Sequence, residues 1–116
     1  MKRIAIPIKE GRLSEYFGQC DFCQIFDINK GMVEETTAVF LGEENSELLP
    51  EWASSLGITD IVTNKIRKQI IGLFTSCKIN LFVGIEIQSP EAIINDYLDG
   101  RLRSNQEIIS EITKKQ

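Results

Sequence analysis

Residues 4–31 read IAIPIKEGRLSEYFGQCDFCQIFDINKG, and the alternation within this stretch decides the fold. Ile4, Ile6 and Ile8 alternate with Ala5 and Pro7, the period-two pattern of a strand. Pro7 has no N–H to give to a ladder, so it belongs near the strand's end or where no bond is needed. Residues 9–21 are polar, carry Gly11 and Gly18, and read as a loop. Phe22 to Ile28 is a second strand. Asn29-Lys30-Gly31 is a turn whose glycine is free to take a positive φ. Met32 to Leu41, rich in Val, Thr and Phe, is the third strand, so strands two and three form a hairpin.

Beyond this unit the period changes. Gly42-Glu-Glu-Asn-Ser46 is a connector, and Ser46 caps a helix running to Leu56 with Pro50 in its first turn. Leu48, Leu49, Trp52, Ala53 and Leu56 give that helix an apolar stripe, with Trp52 in the core, and Gly57 ends it. Asp60 to Thr63 is a short buried strand. Lys65 to Ser76 reads as helical with Ile66, Ile70, Leu73 and Phe74 inward, and the basic Lys65, Arg67 and Lys68 as its solvated start. Ile79 to Val83 is the fifth strand, closed by Gly84. Ser89 caps a helix with Pro90 at its first position, which runs to about Leu98 and stops at Gly100. Ser104 and Glu107 form a capping box for an extra C-terminal helix over about 104–115, with Ile108, Ile109 and Ile112 on one side. The expected architecture is a single α/β domain over residues 1–116, core 3–102. It has a mixed five-stranded sheet with helices on both faces.

Composition narrows the function. The chain has 116 residues, a net charge of −4 and no histidine. An acidic surface does not suit a nucleic-acid backbone, and without histidine no Ser/His/Asp or Cys/His catalytic arrangement exists. Gly11 and Gly18 are too far apart for a P-loop or a dinucleotide fingerprint. The first strand carries no Asp or Glu to hold a nuclease's magnesium, and Asp27 and Asp60 read as surface or turn carboxylates. The apolar run after the basic opening, about five residues broken by Pro7, is too short for a signal peptide, which needs about 7–15. No segment has the roughly 18 apolar residues of a membrane span. A cytoplasmic protein with reduced thiols and no membrane partner is expected.

Cys20-Asp21-Phe22-Cys23 is the one metal-like spacing. Thiolates are soft ligands for iron–sulfur units, copper(I) or zinc. Residues three apart on a straight strand point to opposite faces, so both sulfurs reach one metal only if Cys20 remains in the loop. A structural zinc site needs four ligands, and only Cys77 is left to add. The same pair also reads as small apolar residues near the core, or as a reversible disulfide. Cys77, after the second helix, reads as filler under that turn.

Taken in order, Ile4-Ala-Ile-Pro7, Gly11, Ser14, Phe17-Gly18, Phe22 and the hairpin resemble the dinitrogenase iron–molybdenum cofactor biosynthesis family. Leu56-Gly-Ile-Thr-Asp-Ile-Val62, Ile79 to Gly84 and Tyr97-Leu-Asp-Gly-Arg-Leu102 carry the same resemblance. It implies a ribonuclease-H-like three-layer fold. It also implies a non-catalytic, nitrogenase-accessory-like carrier of iron–molybdenum cofactor, its precursors or a related metal–sulfur cluster, with a protein partner in delivery. The cargo would sit at a face made by loops 9–21, 42–46 and 64–67. Cys20 would be the first metal ligand and Cys23 the second, with Tyr16, Phe17, Gly18 and Asn64 shaping the cofactor site. Four departures stand out. Tyr16 replaces the family's usual histidine, and Gln19 its arginine. The loop after strand three lacks histidine, and Asn64 and Arg67 hold two positions that tend to be glycine. A family member that kept the fold, lost the metal and acts as an interaction module is the alternative.

Overall fold

The computed structural model describes residues 2–16, 20–40, 49–66, 68–105 and 107. In chain order the elements are β1 (Lys2–Lys9), β2 (Arg12–Leu13), β3 (Phe22–Asn29), β4 (Met32–Val39), α1 (Leu49–Ser55), β5 (Asp60–Val62), α2 (Lys68–Ser76), β6 (Asn80–Phe82) and α3 (Pro90–Leu98). They build a mixed sheet of order β4-β3-β1-β5-β6, with β2 paired to β1. β1, β5 and β6 are parallel and β3 runs against β1.

The sheet has six strands where five were expected, because part of the 9–21 loop folds back as β2. Glu10 (φ 54°) and Gly11 (φ 82°) both sit in the left-handed region. That is the two-residue turn whose twist matches paired strands, and it sets Ile8 opposite Leu13. Lys30 (φ 54°) and Gly31 (φ 76°) repeat the device in the expected β3–β4 hairpin. The carbonyl of Pro7 accepts from Ser14 N at 2.8 Å. Its ring nitrogen therefore faces the β2 side, away from the β3 ladder, which is how a proline survives inside β1.

The alternation read from the sequence sorts the core onto two faces. Ile4, Ile6 and Ile8 pack with Phe26, Ile28, Val62, Ile93 and Ile94 under α3. Ala5, Cys23, Ile25 and Ile61 pack with Ala53, Ile70 and Phe74 under α1 and α2, and Trp52 and Cys77 adjoin this second cluster as expected. Each fully buried large apolar side chain contributes roughly 1.5–3 kcal/mol. Gly57 (φ 73°) turns the chain after α1, and Ser89 Oγ accepts from Ala92 N at 3.2 Å to cap α3 ahead of Pro90.

Three helix readings change. α2 begins at Lys68 rather than Lys65, because Lys65 pairs with Tyr16 as an isolated parallel bridge. Ile66, now just ahead of the helix, Ile70 and Phe74 are buried as expected, but Leu73 is 40% exposed. Ser104 does not cap the last helix. Its hydroxyl accepts from Val83 N at 3.0 Å at the edge of the sheet, while Asn105 Oδ1 accepts from Glu107 N at 2.9 Å. The rest of that helix, the 42–46 connector and Ser46 lie outside the described residues.

Candidate functional site

The parallel strands end together, and ligands of α/β sheets gather at such carboxyl ends. Ile8 pairs with Phe22 there, so this end also receives the start of β3 and, one strand further, the end of β4. The topology thus brings Tyr16, Cys20, Phe22, Cys23, Phe40, Asn64 and Lys65 to one edge.

Cys20 lies in a bend before β3 begins at Phe22, which meets the condition under which both sulfurs can converge. Asp21 anchors the bend. Its N–H donates to Ile8 O at 2.8 Å and its Oδ2 accepts from Glu10 N at 3.1 Å. Cys23 is 0% exposed, opposite Pro7, and the half-buried Cys20 packs on the same core cluster. The two thiols meet. Cys23 donates to the Cys20 sulfur, and that bond, then burial, then the charge of a Cys20 thiolate push the Cys23 thiol far above the ordinary range. The arrangement is one partly accessible sulfur backed by one buried sulfur that holds its proton. Cys23 thus packs in the core, one of the readings of the sequence, with the Cys20 sulfur as its neighbour.

Tyr16 and Asn64 act as clamps. Tyr16 pins its loop through backbone, since Lys65 N donates to Glu15 O at 2.8 Å and Ser14 Oγ to Tyr16 O at 2.8 Å. Its ring is 41% exposed, with Lys65 Nζ 5.8 Å from the ring centre. Asn64 is not left-handed. Its Nδ2 donates to Ile85 O at 2.8 Å, and its carbonyl accepts from Gly84 N at 2.9 Å, tying the β5 and β6 ends together. Phe17, Gly18, Gln19 and Arg67 lie outside the described residues. The sequence reading missed Phe40, which is 75% exposed and meets Phe22 with ring centres 5.9 Å apart at the same edge; Phe22 packs on the α3 side of the sheet, the face opposite Cys23. The signal was there, as one aromatic opens β3 and another follows β4.

The carboxylates read as surface residues are buried instead. Asp27 takes Arg3 Nε at 2.6 Å, and Arg3 Nη1 donates to Leu56 O at 2.6 Å. The Asp27 carboxylate raises the Arg3 guanidinium further above its ordinary value. Asp60, 2% exposed, accepts from Thr59 Oγ1 at 2.6 Å and Asn80 Nδ2 at 3.2 Å. Burial, then the Asp60 charge and hydrogen bond, raise the Tyr97 phenol. Asp27 shares its face with Ile25 and Asp60 with Val62, so the two carboxylates point to opposite sides of the sheet and cannot share a metal. Both lie at the end away from Cys20. Among the described residues no group of three or more His, Cys, Asp or Glu side chains is arranged to hold a metal ion. Cys77 follows α2, which returns to the amino end of β6, the opposite end from Cys20.

A family model described as dinitrogenase iron–molybdenum cofactor matches residues 1–100. The chain belongs to this family. Members of the dinitrogenase iron–molybdenum cofactor family are tied to the biosynthesis and handling of that cofactor. The fold recurs in solved structures. PH0822 superposes with a TM-score of 0.81 at 24% identity, over 89% of this chain and 94% of that one. The protein mj0327 of Methanocaldococcus jannaschii gives 0.72 at 18% identity, over 89% and 93%. The apo form of the orange protein of Desulfovibrio gigas gives 0.76 at 15% identity, over 90% and 93%. No curated protein matches the sequence. No described helix is long and apolar enough to cross a membrane.

Proposed function

We propose that this family member is a non-catalytic carrier. It holds iron–molybdenum cofactor, a precursor or a related metal–sulfur cluster at the carboxyl end of the sheet and passes it to a protein partner. The observation that carries this reading is the Cys20–Cys23 sulfur pair at the carboxyl edge of the sheet, where Tyr16 also meets Lys65. A cluster brings its own sulfides and needs few protein donors, and a soft thiolate is the donor its iron accepts. Cys20 is the accessible ligand and Cys23 the second. Tyr16, 41% exposed at the same edge, supplies a ring that can cover the cargo. We also read the architecture as ribonuclease-H-like. The sheet order with β3 alone opposed to β1, β5 and β6 among its inner strands supports that label.

The test is protein purified without oxygen, incubated with iron, sulfide and molybdate, and passed through a desalting column. Stoichiometric metal with visible absorption, reduced in Cys20→Ser, is the expected result. Metal no higher than in an unrelated control protein refutes the carrier. The second reading, an interaction module that lost its metal, is favoured by the absence of any histidine. It predicts partner capture that is unchanged in Cys20→Ser.

A further inference from the structure

We propose that Cys20 and Cys23 together hold one copper(I) ion between two thiolates. The inference deepens the carrier reading in one respect, because it rests on Cys20 as a soft-metal ligand. It does not rest on any cofactor.

The argument is one of donor count. The chain has no histidine, three cysteines and two methionines. Cys77 lies at the far end of the sheet, and so does Met32, which opens β4 beside the Asn29 turn. Met1 lies outside the described residues. Residues 17–19 and 41–48, which flank the site in sequence, contain no cysteine, methionine or histidine. Among the described residues the soft donors at the carboxyl edge are therefore two sulfurs. Zinc and iron–sulfur clusters held by protein alone take four ligands. Copper(I) has a filled shell, prefers thiolate and is satisfied by two sulfurs in line.

Placement agrees with this. Cys23 is 0% exposed among apolar neighbours, which suits an ion that needs no water in its shell. Cys20 sits on a bend outside the β3 ladder, so its sulfur can move the short distance from a thiol–thiol contact to a sulfur–copper–sulfur line without breaking strand pairing. The step balances. One copper(I) and two thiols give a bis-thiolate complex of charge −1, and each thiol still protonated loses one proton to solvent. No oxidant or reductant is consumed.

The experiment titrates the full chain, under nitrogen and with its thiols reduced, with copper(I) supplied as its bathocuproine disulfonate complex. Loss of the complex's colour reports transfer. The expected result is one copper per chain and X-ray absorption showing sulfur neighbours alone. Changes to a metal ligand's outer partners already cost about 10–100-fold, so removing one of two ligands in Cys20→Ser should cost more than about 100-fold. Cys77→Ser should bind like the wild type. Cys20→Ser changes a half-buried bend residue and keeps the fold, which circular dichroism checks, so the result does not depend on the buried Cys23. Copper retained in Cys20→Ser, or lost in Cys77→Ser, overturns the proposal, as does nitrogen in the shell. Wild type that takes copper but keeps neither iron nor molybdenum upholds the pair and removes the carrier. Wild type that keeps a cluster but takes no copper does the reverse.

Discussion

The Cys20–Cys23 contact makes a prediction about alkaline stability that needs no metal. In the folded protein Cys23 holds its proton because it donates to Cys20 and sits at 0% exposure. In the unfolded chain both thiols ionise near about 8.5. The folded pKa is raised, so the stabilisation is complete below the unfolded value and is lost as pH rises above it. There the unfolded state has released one more proton than the folded one, and stability falls by about 1.4 kcal/mol per pH unit. Between about pH 8 and pH 10 the loss specific to this pair comes to about 2 kcal/mol. The Cys23→Ala variant removes the group that stays protonated on folding, and it should lack this loss. Urea unfolding of both proteins at the two pH values, reduced and under nitrogen, measures it. Wild type should lose about 2 kcal/mol more than the variant over that interval. A difference that stays within about 0.5 kcal/mol refutes the claim that the folded state keeps Cys23 protonated.

Other outcomes follow from the packing. Phe74→Ala empties a site at 0% exposure and should cost about 3–5 kcal/mol in urea unfolding. Leu73→Ala, on the outward side of the same helix, should stay within about 0.5 kcal/mol. Asp27→Ala leaves the Arg3 guanidinium without its acceptor and should cost about 1.5–3 kcal/mol by the same method. Gly31→Ala meets no atom within 4 Å, so its cost is conformational alone, about 1–2 kcal/mol from the left-handed backbone. Ser104→Ala strips the acceptor from Val83 N–H at the sheet edge. That amide should exchange with deuterium faster, with a stability loss of about 1 kcal/mol.

Much of the fold was legible because side-chain alternation is a local property. Ile4, Ile6 and Ile8 against Ala5 forecast two core faces. Gly31 forecast the hairpin, and Ser89-Pro90 forecast the start of α3. The misreadings have two causes. Glu10 looked like a solvent residue, yet with Gly11 it makes the turn that adds β2. Lys65 looked helical, yet pairing with Tyr16 holds it extended. Ser104 looked like a cap, yet it satisfies Val83 across 21 residues of sequence. In the last two cases a partner distant in the chain outbid a local preference, and no window of neighbouring residues contains that partner, whereas the Glu10–Gly11 turn pairs Ile8 with Leu13 within one short window. The candidate site divides the same way. The Cys20–Cys23 spacing named the donors, but their meeting depended on where β3 begins.

The sequence by itself determined the supply of chemistry. It contains two thiols near one loop, a third far along the chain and no histidine. It also set the alternation that makes a two-faced sheet, because period and composition are carried by the residues themselves. Only the tertiary structure decided which groups share space. It put Cys77 at the opposite end from Cys20, and Asp27 and Asp60 on opposite faces, each buried with its own partners. It also brought Phe40 beside Phe22. Strand order and direction set these relations, and they arise from hydrogen bonds and packing between segments that the linear chain keeps apart.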